Sequence, residues 1–355
     1  MRFYRVEVRD NGGSPIVMDD ATQILATFTS YLTASPNNQF STYAPGQVGL
    51  TDPGALNIEL DIPVVSEEIP SGQGYLKIWG LPLGAINNAS ALNFKNITIY
   101  AGFQNGLPLA NAQNVAGSPR NDIIFKGSIY QAFGNWQGGE QTIEMFLGPQ
   151  LFSGKKPGDP ILITLSNDAT FDYASSITNA LTAAGYAVDG TPIIDSSLTK
   201  MPFQWKGGYT SLSSFASMLN ETSKATVVKP NYTGIKIIRL QPNATAKTPV
   251  LRITDTPSQL NPVQINFVDL IGQPTWIGFN VLQFKLMMRS DISVGKYVSM
   301  PTTREAQTAN SQSQFKPNIH FTKIAYVNSV RHVGNFRQET GDSWITIIDV
   351  IPNQA

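Results

Sequence analysis

From the first residues to about position 150, apolar and polar residues alternate in short runs, the period of strands with one buried face. RFYRVEV (2–8), LNIELDIPVV (56–65), YLKIWGL (75–81), NITIYAGF (96–103), DIIFKGSIYQAF (122–133) and QTIEMFLGP (141–149) all read this way. Tight joints such as Ser71 to Gly74 and Gly138-Gly139 separate them. Six strands with short connections predict a closed or nearly closed β-barrel, because closure removes exposed edges.

The period then changes. After the strand ILITLS, the segment FDYASSITNALTAAGY places Phe171, Ala174, Ile177, Leu181 and Ala184 at helical spacing, with Gly185 as a stop. SLSSFASMLNETS predicts a second helix, with Leu212, Phe215 and Leu219 on one face, and the strand GIKIIRL follows it. From about 246 the β signals return in VLRI, VQINFVDL, WIGFNVLQFKLMM, KYVSM, FTKIAYVNSVRHV and WITIIDVIP. One polar stretch interrupts them, residues 302–318, which reads as a long loop. The fold class is therefore mainly β, α+β overall, with two β-barrel domains around a small α/β domain. The boundaries are 1–158, 159–245 and 246–355.

An internal repeat links the two β-rich regions. Residues 127–149 align with 328–352: Ser128 meets Ser329, Ile129 meets Val330, Gly134-Asn135-Trp136 meets Gly334-Asn335-Phe336, and Pro149 meets Pro352. In both, a strand runs through Gly-Asn-aromatic into a turn and a returning strand that ends in Pro. Equivalent hairpins in a duplicated domain would leave this trace.

Composition narrows the function classes. Charged residues make up 14% of the chain, against about 25% in an average domain. A surface of neutral polar groups is cheap to dehydrate, which favours contacts with other chains. Lys and Arg balance Asp and Glu at 25 each, so no basic field is available to capture nucleic acid or a membrane surface. With no Cys, disulfides, thiolate metal sites and a Cys nucleophile are excluded. MRFYRVEVRDNGG lacks the apolar core of a signal peptide, and the longest apolar stretch, Trp276 to Met288, is too short to span a bilayer, so the chain reads as soluble.

Candidate chemistry is sparse. His320 and His332 are the two imidazoles, which excludes a multi-His metal centre, and neither lies near a G-x-S-x-G elbow. The adjacent carboxylates Asp19-Asp20 and Glu67-Glu68 would point to opposite faces of a strand. GPQLFSGKKPG (148–158) resembles a phosphate loop but has the wrong spacing, lacks Ser or Thr after Lys and runs into Pro157. Asn-x-Ser/Thr triplets begin at Asn88, Asn96, Asn220, Asn231 and Asn243 and fit a composition rich in these residues. The aromatics of WKGGY (205–209) could stack on a sugar or pack internally. These features predict no enzyme, no cofactor and no metal.

Gly272-Gln273-Pro274, followed by Ile292, Val294-Gly295 and Val298, resembles a recurrent turn-strand segment of baseplate hub proteins from contractile-tailed bacteriophages. The C-terminal hairpin, with His332, Gly334, Trp344 and Thr346, is similar to the closing hairpin of that family. The resemblance covers roughly 159–355, and the first 150 residues by order of elements. It implies a homotrimer whose subunits each carry two related barrels, giving a ring that joins a six-fold tail tube to a three-fold central spike in the virion. The partners it implies are the spike, tail tube, tape measure and baseplate wedge proteins, with DNA passing through unbound. Some relatives fuse a cell-wall hydrolase or the spike to the hub, and this sequence contains neither.

On that reading the alternation in WIGFNVLQFKLMM makes Trp276, Phe279, Leu282, Phe284, Leu286 and Met288 candidates for a subunit interface or for barrel packing. Lys285 would reach the lumen or a carboxylate on the neighbour. A rival reading places the whole stretch in the core of one sandwich. Two other functions compete with the hub: a carbohydrate-binding tail or fibre module, and a hydrolase using His320 or His332.

Overall fold

The computed structural model describes residues 2–19, 24–30, 52–66, 73–103, 123–148, 162–167, 172–199, 205–229, 232–240, 250–255, 262–301, 306–307 and 324–352. The first region contains β1 (Arg2–Arg9), β2 (Val17–Asp19), β3 (Ile24–Leu25), β4 (Thr27–Thr29), β5 (Ile58–Ser66), β6 (Gly74–Trp79), α1 (Leu83–Asn87), β7 (Asn96–Phe103), β8 (Ile123–Gln137) and β9 (Glu140–Gly148). The middle contains β10 (Ile163–Asn167), α2 (Tyr173–Ala183), β11 (Ala187–Val188), β12 (Trp205–Tyr209), α3 (Leu212–Thr226), β13 (Lys236–Arg239) and β14 (Val250–Thr254). The last part contains β15 (Val263–Gln264), β16 (Thr275–Gly278), β17 (Val281–Met287), β18 (Tyr297–Ser299), β19 (Ala306–Gln307), β20 (Ile324–Asn335) and β21 (Trp344–Pro352).

The fold is mainly β, with its two longer helices in the middle region. All six strands predicted before residue 150 form, displaced by a few residues at most. α2 is capped by Asp172, whose carboxylate accepts from the Ser175 N–H at 3.1 Å, and it stops at Gly185, whose φ of +92° suits glycine. Its Ile177 and Leu181 are buried against Ile163 and Leu165 of β10 and Phe215 and Leu219 of α3, in one core with Ile237, Leu251 and Ile253. VLRI, read from sequence as the start of the last region, is β14 and pairs with β11 and β13.

Two segments differ from their predicted form. VQINFVDL is extended only at Val263–Gln264; Phe267–Asp269 closes into a 3-10 turn because the Asp269 carboxylate accepts from the Asn266 N–H at 3.2 Å. WIGFNVLQFKLMM is not one strand but the hairpin β16–β17, with Trp276 opposite Leu282 and the chain reversing between Gly278 and Val281.

The two β-rich regions share one sheet. Its strands run in the order β19-β16-β17-β21-β20-β5-β6-β9-β8-β7-β1-β4, with β15 and β18 attached beside β20. Among the described residues no pairing joins the ends of this path, so the closed or nearly closed barrels expected from sequence are replaced there by one shared open sheet. The reason lies in β20. One edge pairs with β21 along the hairpin, and the other, from Ser329 to Asn335, pairs with β5 of the first region instead of closing its own unit.

Within the sheet one four-strand order occurs twice. In β5-β6-β9-β8, a hairpin is followed by the returning strand and then the leading strand of a second hairpin; β16-β17-β21-β20 repeats this order, with every pairing antiparallel. Both second hairpins carry a β-bulge in the leading strand, between Ile129 and Gln131 and between Val327 and Ser329. Gly134 and Gly334 occupy matching places, opposite Ile143 and Trp344.

One sheet face covers two apolar cores. Ile58, Leu60, Leu76, Ile143 and Met145 belong to the first, which also takes in Met288 and Trp344 from the last region. The Trp344 indole N–H donates to the Gly102 carbonyl at 3.0 Å, fixing the second hairpin onto the first region. Trp276, Leu282, Phe284, Leu286, Val298, Val327 and Ile348 build the second.

Gly334 lies under this junction. A Cβ there would stand 2.7 Å from Cζ3 and 2.8 Å from Cε3 of the Trp344 ring, and 3.1 Å from Leu60. Gly334→Ala is expected to destabilise the protein by about 1–3 kcal/mol, because the indole has no free side to move into. Urea denaturation measures this directly; an unchanged midpoint would show that the junction is loosely packed.

Candidate assembly interface

The sheet's second face, away from the cores, is amphipathic. Strand alternation puts Glu59 and Asp61 of β5, Tyr75 and Lys77 of β6, Glu144 and Phe146 of β9, Lys285 of β17, Arg331 of β20 and Asp349 of β21 on it. Its cations have acidic partners. The Lys77 ammonium stands 3.1 Å from Glu144, Arg331 Nε donates to Asp61 at 2.7 Å, and Lys285 Nζ donates to Asp342 at 2.7 Å. The Gln283 amide donates to Asp349 at 2.9 Å, and Ser329 donates to the same carboxylate at 2.5 Å. The Tyr75 hydroxyl donates to Glu144 at 3.1 Å; burial first, and that carboxylate second, raise its pKa. Lys285 thus meets a carboxylate of its own chain. With its cations matched, this face presents no strong positive field to a passing polyanion.

Of the six sequence candidates, Trp276, Leu282, Phe284, Leu286 and Met288 are buried within the chain's own cores. Phe279 is not: it sits in the β16–β17 turn at 62% exposure, near the half-exposed Ile277. The structure therefore separates five packing residues from one surface aromatic.

The two four-strand units together make the run β16-β17-β21-β20-β5-β6-β9-β8, and large apolar side chains are exposed near both of its ends. At the β8 end Trp136 is 60% exposed, Phe133 is partly exposed with its ring 6.1 Å from that of Phe146, and Ile86 of α1 packs against Gly134 between them. Up to Ala132 the outer edge of β8 is engaged: the Ile129 N–H donates to the Lys95 carbonyl at 2.9 Å, the Phe94 N–H to the Ile129 carbonyl at 2.8 Å, and the Ala132 N–H to the Asn93 side chain at 2.6 Å. From Phe133 onward no further strand pairs there among the described residues. At the β16 end, Phe267, Val268 (54% exposed), Ile277 and Phe279 are exposed, and β19 pairs with β16 at Thr275 and Trp276. The sequence signal for the β8 end was the Gly-Asn-aromatic repeat; at the β16 end Phe279 was already a candidate, while Phe267 and Val268 were missed because the turn at 267–269 read as strand.

Other candidates fall elsewhere. His332 is fully buried in β20, with Nδ1 3.0 Å from the Thr346 hydroxyl and Nε2 without a hydrogen-bond partner. The Thr346 hydroxyl also accepts from the Arg289 N–H at 3.0 Å and donates to the Arg289 carbonyl at 3.2 Å, leaving its oxygen to accept the Nδ1 proton. Arg289, missed from sequence, is buried beside Asp291 at 2.6 Å and Asp269 at 3.7 Å, an ion cluster that holds the Phe267–Asp269 turn to the second core. In WKGGY, Tyr209 packs its ring 5.4 Å from Phe215, an internal contact. The Asn220 amide is spent on the Thr233 and Ile235 carbonyls. His320, Asp20, Glu67-Glu68, Asn231, Asn243, residues 149–158 and all of the 302–318 loop except 306–307 lie outside the described residues. Among the described residues no three His, Asp or Glu side chains gather to hold a metal.

Comparison with known proteins finds no matching family model and no matching curated protein. Among solved structures, the 43 kDa tail protein of prophage MuSo2 from Shewanella oneidensis aligns over 99% of this chain and 98% of its own, at 8% identity and a TM-score of 0.49. A tail protein from Neisseria meningitidis MC58 aligns over 84% of this chain and 96% of its own, at 9% identity and a TM-score of 0.39. The half-lidded Francisella PdpA–VgrG complex aligns over 100% of this chain and 59% of the solved one, at 7% identity and a TM-score of 0.46. Likenesses of this depth leave the function to be argued from the chain's own geometry.

The environment of His332 gives a pH prediction. Burial pushes its imidazole down to about 4 from the ordinary 6.5, so the unfolded chain takes up the proton first as pH falls. Stability from this site is full above pH 6.5, declines as pH drops from 6.5 to 4, and is level below; the loss amounts to about 3 kcal/mol. Urea melts between pH 4 and 7 should show a steeper decline for the wild type than for His332→Gln. Parallel declines would contradict the assignment.

Proposed function

We propose that this chain is a structural protein of a virion tail, a trimeric baseplate hub joining a six-fold tail tube to a three-fold central spike. One observation carries the reading: a single sheet contains the same four-strand order twice, joined edge to edge through β20 and β5. A chain with two like units in series matches both symmetries at once, since three copies present six similar units while remaining a three-fold object. The amphipathic sheet face, with its matched cations, suits the wall of a channel through which DNA and a tape measure protein pass without being held. The sequence resemblance to contractile-tail hubs supplies the remaining partners, the tail tube and baseplate wedge proteins. On this reading the chain carries no catalysis of its own and is assembled in the host cytoplasm.

Light scattering on the purified protein should give a particle of about three times 38.6 kDa. A monomer whose thermal stability rises with added glycan would instead support a carbohydrate-binding tail module. Turnover of a cell-wall substrate that disappears in His332→Gln or His320→Gln would contradict the structural role.

A further inference from the structure

The turn after β1 sets a side-chain amide next to a backbone nitrogen able to attack it. Asp10, Asn11, Gly12 and Gly13 form the turn: the Gly13 N–H donates to the Asp10 carbonyl at 3.1 Å, the Ser14 N–H to the Asp10 carboxylate at 2.7 Å, and Arg9 Nη1 to the Gly13 carbonyl at 3.0 Å. These bonds engage the N–H groups of Gly13 and Ser14, while among the described residues no group accepts from the Gly12 N–H. Residues 11–15 are all exposed, so water reaches both Asn11 and Gly12. Gly12 carries no Cβ, and its nitrogen is therefore unshielded on the side of the Asn11 amide.

Asn11 also has a partner from another strand. Arg9 pairs with Asn96, the first residue of β7, and beside that pair Asn96 Nδ2 donates to Asn11 Oδ1 at 3.4 Å. Negative charge gathers on this oxygen when a nucleophile adds to Asn11 Cγ. A donor already directed at it stabilises the addition more than it stabilises the resting amide. The Arg9 guanidinium, bound to the Gly13 carbonyl, brings a positive charge into the same turn.

We propose that Asn11 is a site of spontaneous deamidation, modified by the backbone of its own turn with Asn96 as the donor to its oxygen. The Gly12 nitrogen adds to Asn11 Cγ and gives up its proton to water; the Cγ–Nδ2 bond breaks, and the nitrogen leaves as ammonia after taking a proton from solvent. A five-membered cyclic imide results. Water then opens the imide at either carbonyl, giving aspartate or isoaspartate at position 11. Each event turns a neutral amide into a carboxylate, so a chain balanced at 25 positive and 25 negative residues becomes acidic by one charge. The isoaspartate form also lengthens the main chain by one carbon within the turn that returns from Arg9 to Pro15, two residues that bridge each other.

Incubating the folded protein at mildly alkaline pH and mapping its peptides by mass spectrometry tests this. Asn105-Gly106 is a second Asn-Gly pair in the chain and serves as the internal reference. In the wild type the peptide carrying Asn11 should gain the mass of an amide replaced by an acid and separate into aspartate and isoaspartate forms. Asn96→Ala removes the donor, and Asn96→Asp keeps the shape but presents a carboxylate. Each should slow conversion at Asn11 about threefold, with Asn105 unchanged. In urea-unfolded chains all three proteins should convert Asn11 at one rate, because the β1–β7 pairing that holds the donor in place is gone. A wild type that keeps Asn11 intact would overturn the modification site. Equal rates in the three folded proteins, or a slowing that persists in urea, would overturn the role of Asn96.

Discussion

A β-strand has two edges, and the architecture follows from how β20 uses both. Its backbone pairs with β21 along the C-terminal hairpin and with β5 across 270 residues of sequence, the Arg331–Asp61 ion pair marking the same crossing. That second edge is divided: Ile324–Tyr326 pairs with β18 of its own region, and Ser329–Asn335 crosses to β5, which sets the two units in series. The surface left open by folding is thereby the surface available for association, and its aromatic side chains make exposure costly.

The two faces of the sheet divide the remaining work. Ile, Leu, Met and Trp on one side hold the cores, where Trp344 of the second hairpin enters the first core and ties the units together. On the other side charged residues alternate with apolar ones, and the cations are neutralised by carboxylates of the same chain. A low overall charge and a balanced sheet face belong to a protein that contacts macromolecules over broad areas without attracting one sign of charge.

Much of the fold was legible in the sequence because period-two alternation records which strand face is buried. NITIYAGF and WITIIDVIP gave their strands almost to the residue, and Gly134 and Gly334 marked equivalent hairpins before any register was known. Pairing partners were not legible. Nothing local to β20 announces that its second edge belongs to β5, since that depends on a long-range ladder and on bulges that re-aim the strand. The hairpin inside WIGFNVLQFKLMM was hidden because Gly278, Phe279 and Asn280 interrupt an apolar run that otherwise reads as continuous. Phe267–Asp269 was misread for a similar reason: the buried Arg289 and the Asp269 cap override the strand preference of its apolar residues.

Electron microscopy of the purified protein, reconstructed down its symmetry axis to strand-resolving detail, bears on all of this at once. The account predicts a ring with an axial opening and six similar lobes. A solid particle, or a ring built of two unlike kinds of lobe, would contradict it.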